Sequence, residues 1–158
     1  MFIDLEIFAV IFAFLYLFLA MKQHIACWYA AFISTFLYIL IYWDVSLYME
    51  SVLNVYYLVM AMYGWSNWNR KSKTNKNYVI SWSYLNHLIV VVLILILTII
   101  SGFYLSKTDA VYPYLDSFTT WASVTTTFMV AQKVLSNWIF WIIINSVAIF
   151  LNFDRELY

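Results

Sequence analysis

Residues 51–68 read SVLNVYYLVMAMYGWSNW, an apolar and aromatic run with few polar positions. In a helix, five of its residues share one face: Asn54, Tyr57, Ala61, Trp65 and Trp68. A lipid-facing stripe is usually built of Leu, Ile and Val, whereas an amide, a phenol and two indoles suit a flat molecule with polar edges. The alternative interpretation is that Trp65 and Trp68 anchor the helix at the lipid headgroups. The pattern of this run alone is compatible with both.

The composition around this run is that of a membrane protein. The chain has 158 residues, of which 66% are hydrophobic and 10% charged, and its mean hydropathy is +0.84. Soluble domains carry about 25% charged residues. A net charge of +0 and the lack of a basic stripe exclude nucleic acid as a partner.

The sequence predicts neither a metal site nor a cofactor. A single cysteine, Cys27, excludes an internal disulfide framework, and His24 and His87 do not form a zinc-binding motif. A serine or cysteine nucleophile with a histidine base is the remaining route to an enzyme. No carboxylate is spaced to complete such a set, so we expect no enzymatic activity.

Six apolar segments approach the ~20 residues that a helix needs to cross a bilayer. They are residues 2–21, 25–43, 47–68, 84–105, 114–131 and 138–153. The sequence therefore predicts an all-α, polytopic membrane protein. The basic segment 69–77 (NRKSKTNKN) belongs in the cytoplasm by the positive-inside rule, which places the N-terminus outside a bacterial inner membrane.

The chain contains an internal repeat. Trp28 and Trp138 are 110 residues apart, and DVSLY at 44–48 returns as DRELY at 154–158. This offset predicts two parallel three-helix units on either side of a single helix, a three-plus-one-plus-three SWEET-like bundle. The units are residues 1–68 and 106–158, with a cytoplasmic basic loop at 69–83 and a linking helix at 84–105. The second unit lacks its last helix, so we expect the chain to be a truncated form of a seven-helix protein.

A second polar and aromatic face lies in the last segment, where Trp138, Trp141 and Asn145 have helical spacing. Singly, Asn54 and Asn145 are typical of hydrogen bonds between helices. Together with indoles on corresponding faces of two repeats, they favour a ligand site in which both faces enclose a flat ring. The carboxylates lie near the predicted span ends, which favours passive transport over ion coupling. The alternative function is a membrane scaffold or assembly subunit that transports nothing.

Two aromatic blocks resemble those of the PnuC family of vitamin transporters. Tyr63, Gly64, Trp65 and Trp68 match the family's Y-G-W-x-x-W block, and residues 137–141 match its N-W-x-x-W block. Residues 157–158 resemble the start of its L-Y-x-T-A segment. The resemblance implies facilitated uptake of a vitamin precursor of the nicotinamide riboside or thiamine class, trapping by a cytoplasmic kinase, and a homo-oligomer.

We therefore predict one set of substrate-binding residues: Trp28, Asn54, Tyr57, Tyr63, Trp65, Trp138, Trp141 and Asn145. Two of these positions depart from the family pattern. Family members often have Gln where this chain has Asn54, and many have an acidic residue where it has Asn145. Both positions belong to the predicted site, so the resemblance does not fix which vitamin is carried.

Overall fold

The computed structural model describes residues 2–44, 48–74, 79–108 and 111–154. Within these ranges the chain forms six α-helices: α1 (Phe2–Met21), α2 (Cys27–Asp44), α3 (Tyr48–Thr74), α4 (Tyr84–Leu105), α5 (Pro113–Ala131) and α6 (Asn137–Asp154). The all-α prediction is confirmed for the described residues, whose one element of β-structure is an isolated bridge between Ile80 and Val134.

The predicted helix boundaries hold to within a few residues, except at the end of α3. Helix α4 spans the predicted residues, and the Ser83 hydroxyl caps its start by accepting a hydrogen bond from the Asn86 N–H (3.4 Å). Helix α3 continues to Thr74, six residues beyond the predicted span end and into the segment predicted as a loop. No proline or glycine interrupts residues 65–74. A helix that is already formed extends readily through such a sequence, because each added residue gains a backbone hydrogen bond.

Two of the described helices, α2 and α4, are long and apolar enough to cross a membrane, and α1 and α6 contain shorter apolar stretches. Helix α4 is the clearest case, because only 17% of its apolar window is buried within the molecule. Large side chains such as Leu88, Ile96 and Ile99 are exposed along it. A core helix of a soluble protein would bury these groups, whereas lipid can cover them.

The first compact unit comprises residues 1–78 and contains α1, α2 and α3. Helix α2 packs against both of its neighbours. The Ser34 hydroxyl donates to the Ala9 carbonyl of α1 (2.9 Å), and the Ser51 hydroxyl of α3 donates to the Ile39 carbonyl of α2 (3.2 Å). Hydroxyl groups therefore link both helix pairs, as is common where apolar burial contributes little to helix association.

The second compact unit comprises residues 79–158, and in it α5 packs against both α4 and α6. Ile94, Ala122 and Ile144 form its buried core. The Trp121 Nε1–H donates to the Ser101 hydroxyl across the α4–α5 pair (3.0 Å). The threonines of α5 bond carbonyls of their own helix, one of the two roles expected for them: Thr119, Thr120, Thr125, Thr126 and Thr127.

The turn between α1 and α2 recurs, 110 residues later, between α5 and α6. Gln23 and Lys133 have left-handed backbones, with φ of 52° and 59°. The His24 N–H bonds the Leu19 carbonyl and the Val134 N–H bonds the Met129 carbonyl, each at 2.9 Å. Both helices therefore end in a Schellman motif, with a non-glycine residue at the position that usually holds glycine. Helices α2 and α6 also begin and end 110 residues apart.

The local structure therefore follows the repeat seen in the sequence. The SWEET-like arrangement and the division at residues 68, 83 and 105 stay predictions. Leu157 and Tyr158, which carry part of the repeat and of the family resemblance, lie outside the described residues, as do Leu47 and Lys76.

Candidate functional site

The indole of Trp28 lies at the centre of an aromatic cluster in the first unit. It is 3% exposed, and its ring centroid lies 5.4 Å from that of Trp68 and 6.2 Å from that of Tyr16. Gly64 permits this packing, because a Cβ atom at that position would overlap the Trp28 ring. The Y-G-W block thus contains glycine where α3 approaches the indole of α2 most closely.

A groove of about 590 Å³ lies beside this cluster, between α2 and α3. Residues of both helices line it, in each case at helical spacing: Trp28, Tyr29, Phe32, Ala61, Met62, Trp65 and Ser66. None of these described residues carries a charge. The volume is in the range of pockets that hold small molecules, which are mostly apolar with a few polar groups.

Two predicted site residues, Trp28 and Trp65, line this groove. Trp65 is 38% exposed, and its ring centroid lies 6.3 Å from that of Tyr29, with an interplanar angle of 63°. The indole N–H of Trp28 is buried and has no hydrogen-bond partner among the described residues. A buried donor without an acceptor is costly. An acceptor atom on a bound molecule would satisfy it.

The other predicted residues of α3 lie away from the groove lining. Asn54 is 8% exposed, and its Nδ2 donates to the Glu50 carbonyl of its own helix (2.9 Å). This bond is neither a link between helices nor a ligand contact. Tyr57 is half-buried and Tyr63 is exposed.

The predicted residues of α6 belong to the second unit. Trp138 is half-buried and Asn145 is exposed. Trp141 packs against the core of Ile94, Ala122 and Ile144. A smaller apolar cavity of about 160 Å³ in this unit is lined by other residues of α4, α5 and α6, among them Phe118 and Phe140.

Four residues of the groove were missed by the sequence prediction: Tyr29, Phe32, Met62 and Ser66. Their signal was present in the sequence. Residues 28, 29 and 32 have helical spacing on α2, as do residues 61, 62, 65 and 66 on α3. The prediction favoured faces that combine an amide with an indole and passed over a face that is aromatic and apolar.

The exposed apolar helices and the groove define a helical membrane protein with a small-molecule-sized site. Comparison with known proteins is specific. The sequence model described as nicotinamide mononucleotide transporter matches residues 4–158, so this chain belongs to that family of membrane transporters, as the PnuC resemblance predicted.

The fold is similar to a solved one, the crystal structure of the vitamin B3 transporter PnuC. The TM-score is 0.75, with 22% sequence identity over 93% of this chain and 66% of that chain. This chain therefore spans slightly less than two thirds of the length of the solved protein.

Proposed function

We propose that this chain takes part in the facilitated uptake of a water-soluble vitamin or vitamin precursor of the nicotinamide riboside or thiamine class. The observation that carries the proposal is the α2–α3 groove, which Trp28 and Trp65 line in a chain of a transporter family. Aromatic side chains offer a flat ring a stacking surface, and the free Trp28 N–H offers a hydrogen bond to its edge.

The lining of the groove favours a ligand without phosphate, although the family is described by a nucleotide. Phosphate groups are bound by arginine, lysine or helix N-termini, which supply positive charge. None of the described lining residues is cationic. A riboside or free vitamin is therefore a better match than its phosphorylated form. Phosphorylation by a cytoplasmic kinase would then trap the imported molecule and drive net uptake without an ion gradient.

The remaining site residues stay predictions within this proposal. We propose that Trp138, Trp141 and Asn145 also contact substrate during transport, and that Asn54, Tyr57 and Tyr63 contribute to its selection. The inner-membrane location with the N-terminus outside, and the homo-oligomer, rest on the charge distribution and on the family resemblance.

Thermal unfolding of the purified protein with nicotinamide riboside, nicotinamide mononucleotide, thiamine and riboflavin, side by side, tests the proposal. A ligand at one hundred times its Kd stabilises the folded state by about 2.7 kcal/mol. We expect a rise in Tm with nicotinamide riboside or thiamine that is lost in Trp65→Ala. If no compound raises the Tm, and vitamin-requiring cells that express the chain show no uptake, the scaffold alternative replaces the transporter.

A further inference from the structure

The α2–α3 groove combines aromatic faces with an absence of charge. Tyr29, Phe32 and Trp65 all line it and are exposed. The face of an aromatic ring carries partial negative charge, whereas its edge is positive. Since Tyr29 and Trp65 meet at a steep angle, the groove presents ring faces in more than one direction.

The electrostatics of such a lining distinguish between ligands of different charge. A cation over the face of Trp or Tyr is attracted by the ring quadrupole, and this attraction grows as water is removed. A carboxylate or phosphate would meet negative ring faces and no cationic partner among the described lining residues. A neutral ring would stack but would gain nothing from its charge.

The one buried polar atom without a described partner in the lining adds a second requirement. The Trp28 Nε1–H can only donate. A ligand that satisfies it must present an acceptor, such as a carboxamide oxygen, a hydroxyl oxygen or a ring nitrogen, while its ring occupies the space beside Trp65.

We propose that the groove selects a flat heteroaromatic ring with a permanent positive charge, such as an N-alkylated pyridinium or a thiazolium, that also carries a hydrogen-bond acceptor. The proposal deepens the proposed function, because it names the substrate class of the same groove. It separates nicotinamide riboside and thiamine, whose rings are cationic, from riboflavin, whose ring is neutral.

A pair of probes that differ mainly in charge tests this selection. The cation 1-methylnicotinamide and its reduced, neutral form 1-methyl-1,4-dihydronicotinamide have the same carboxamide and the same N-methyl group. Calorimetric titration of the purified chain should show roughly tenfold tighter binding of the cation, the size expected for one partly desolvated cation–π contact. Equal affinities, or no binding of the cation at millimolar concentration, would overturn the proposal.

Variants of Trp65 assign the selection to the ring. Trp65→Phe keeps an aromatic face and should retain most of the preference, whereas Trp65→Leu keeps only the apolar bulk and should bring the two affinities together. Trp43→Leu makes the same change on α2 at a position outside the groove lining and should leave the ratio unchanged. A cation preference that persists in Trp65→Leu contradicts the assignment.

The two proposals fail separately. If the chain binds 1-methylnicotinamide selectively but neither binds nor transports nicotinamide riboside or thiamine, the charge selection stands and the proposed substrates are wrong. If it transports nicotinamide riboside but binds the charged and neutral probes equally, the substrate stands and the charge selection is wrong.

Discussion

The Nε2 atom of His87 lies 2.7 Å from the hydroxyl oxygen of Ser136, and the geometry fixes which of the two donates. The other ring nitrogen, Nδ1, lies 2.9 Å from the Ser83 carbonyl, which can only accept. In the neutral ring Nδ1 therefore carries the proton, and the Ser136 hydroxyl donates to Nε2. The ring also stacks on Phe140 of α6. His87 thus ties the start of α4 to the residue that precedes α6.

Removal of this bond should lower stability. Ser136→Ala should cost about 1 kcal/mol, the net value of a typical hydrogen bond, and His87→Ala should cost more because it also removes ring packing. The double variant should cost less than the sum of the two, because the two residues share one interaction. The readout is the apparent Tm of the purified protein.

The control for this cycle is His24→Ala in the corresponding turn of the first unit. There the ring nitrogen accepts a hydrogen bond from the exposed Ala26 N–H at 3.2 Å, so the loss should be smaller. Additive effects of His87→Ala and Ser136→Ala would contradict the assigned bond.

Glycine should be accepted at the two left-handed turn positions. Gln23 and Lys133 adopt positive φ, which costs an L-residue roughly 1–2 kcal/mol, whereas glycine adopts it without steric cost. Lys133→Gly should therefore hold or raise the Tm, and Lys133→Val, with a β-branched side chain, should lower it. The same order is expected at Gln23 if the two turns are equivalent. Glycine that lowers the Tm more than valine does would be inconsistent with the turn geometry.

Alanine should have opposite effects at the two glycines. In Gly64→Ala the new Cβ overlaps the indole of Trp28, which is packed between Tyr16 and Trp68 and cannot move aside. Overpacking of this kind costs about 1–3 kcal/mol, which exceeds the gain in helix propensity of roughly 1 kcal/mol.

Gly102→Ala is the matched comparison. Its Cβ meets the Tyr114 ring, which is exposed and can rotate away, so the helix-propensity gain should dominate and the Tm should hold or rise. A lower Tm in Gly102→Ala than in Gly64→Ala would show that the freedom of the contacted ring does not decide the outcome.

The helices could be predicted because hydropathy and span length act along the chain. The end of α3 was missed, since lysine and asparagine stop a membrane span without stopping a helix. The left-handed residues Gln23 and Lys133 were missed because no glycine marks them. Their shared 110-residue offset becomes apparent only once the backbone is known.

The site was less accessible than the fold. Helical spacing places residues on a face, but it does not say which face meets another helix. The groove exists because Gly64 lets the Trp28 indole pack against α3, and that contact joins residues 36 positions apart. Asn54 fitted the pattern of a ligand residue, yet its amide bonds its own helix. Polar composition alone could not distinguish these roles.

The predicted substrate residues of α6 can be separated by stability and uptake. Trp141 packs against the core of the second unit, so Trp141→Ala should lower both the Tm and uptake. Asn145 is exposed, and exposed substitutions usually change stability by less than about 0.5 kcal/mol. Asn145→Ala should therefore keep the wild-type Tm and membrane insertion while it abolishes vitamin uptake, and Trp138→Ala should abolish uptake with at most a modest loss of stability. Ser146→Ala, one residue further along the helix, removes a hydroxyl that bonds its own helix and should leave uptake intact. Wild-type uptake in Asn145→Ala and Trp138→Ala would remove both residues from the site and leave the α2–α3 groove as the place where substrate is recognised.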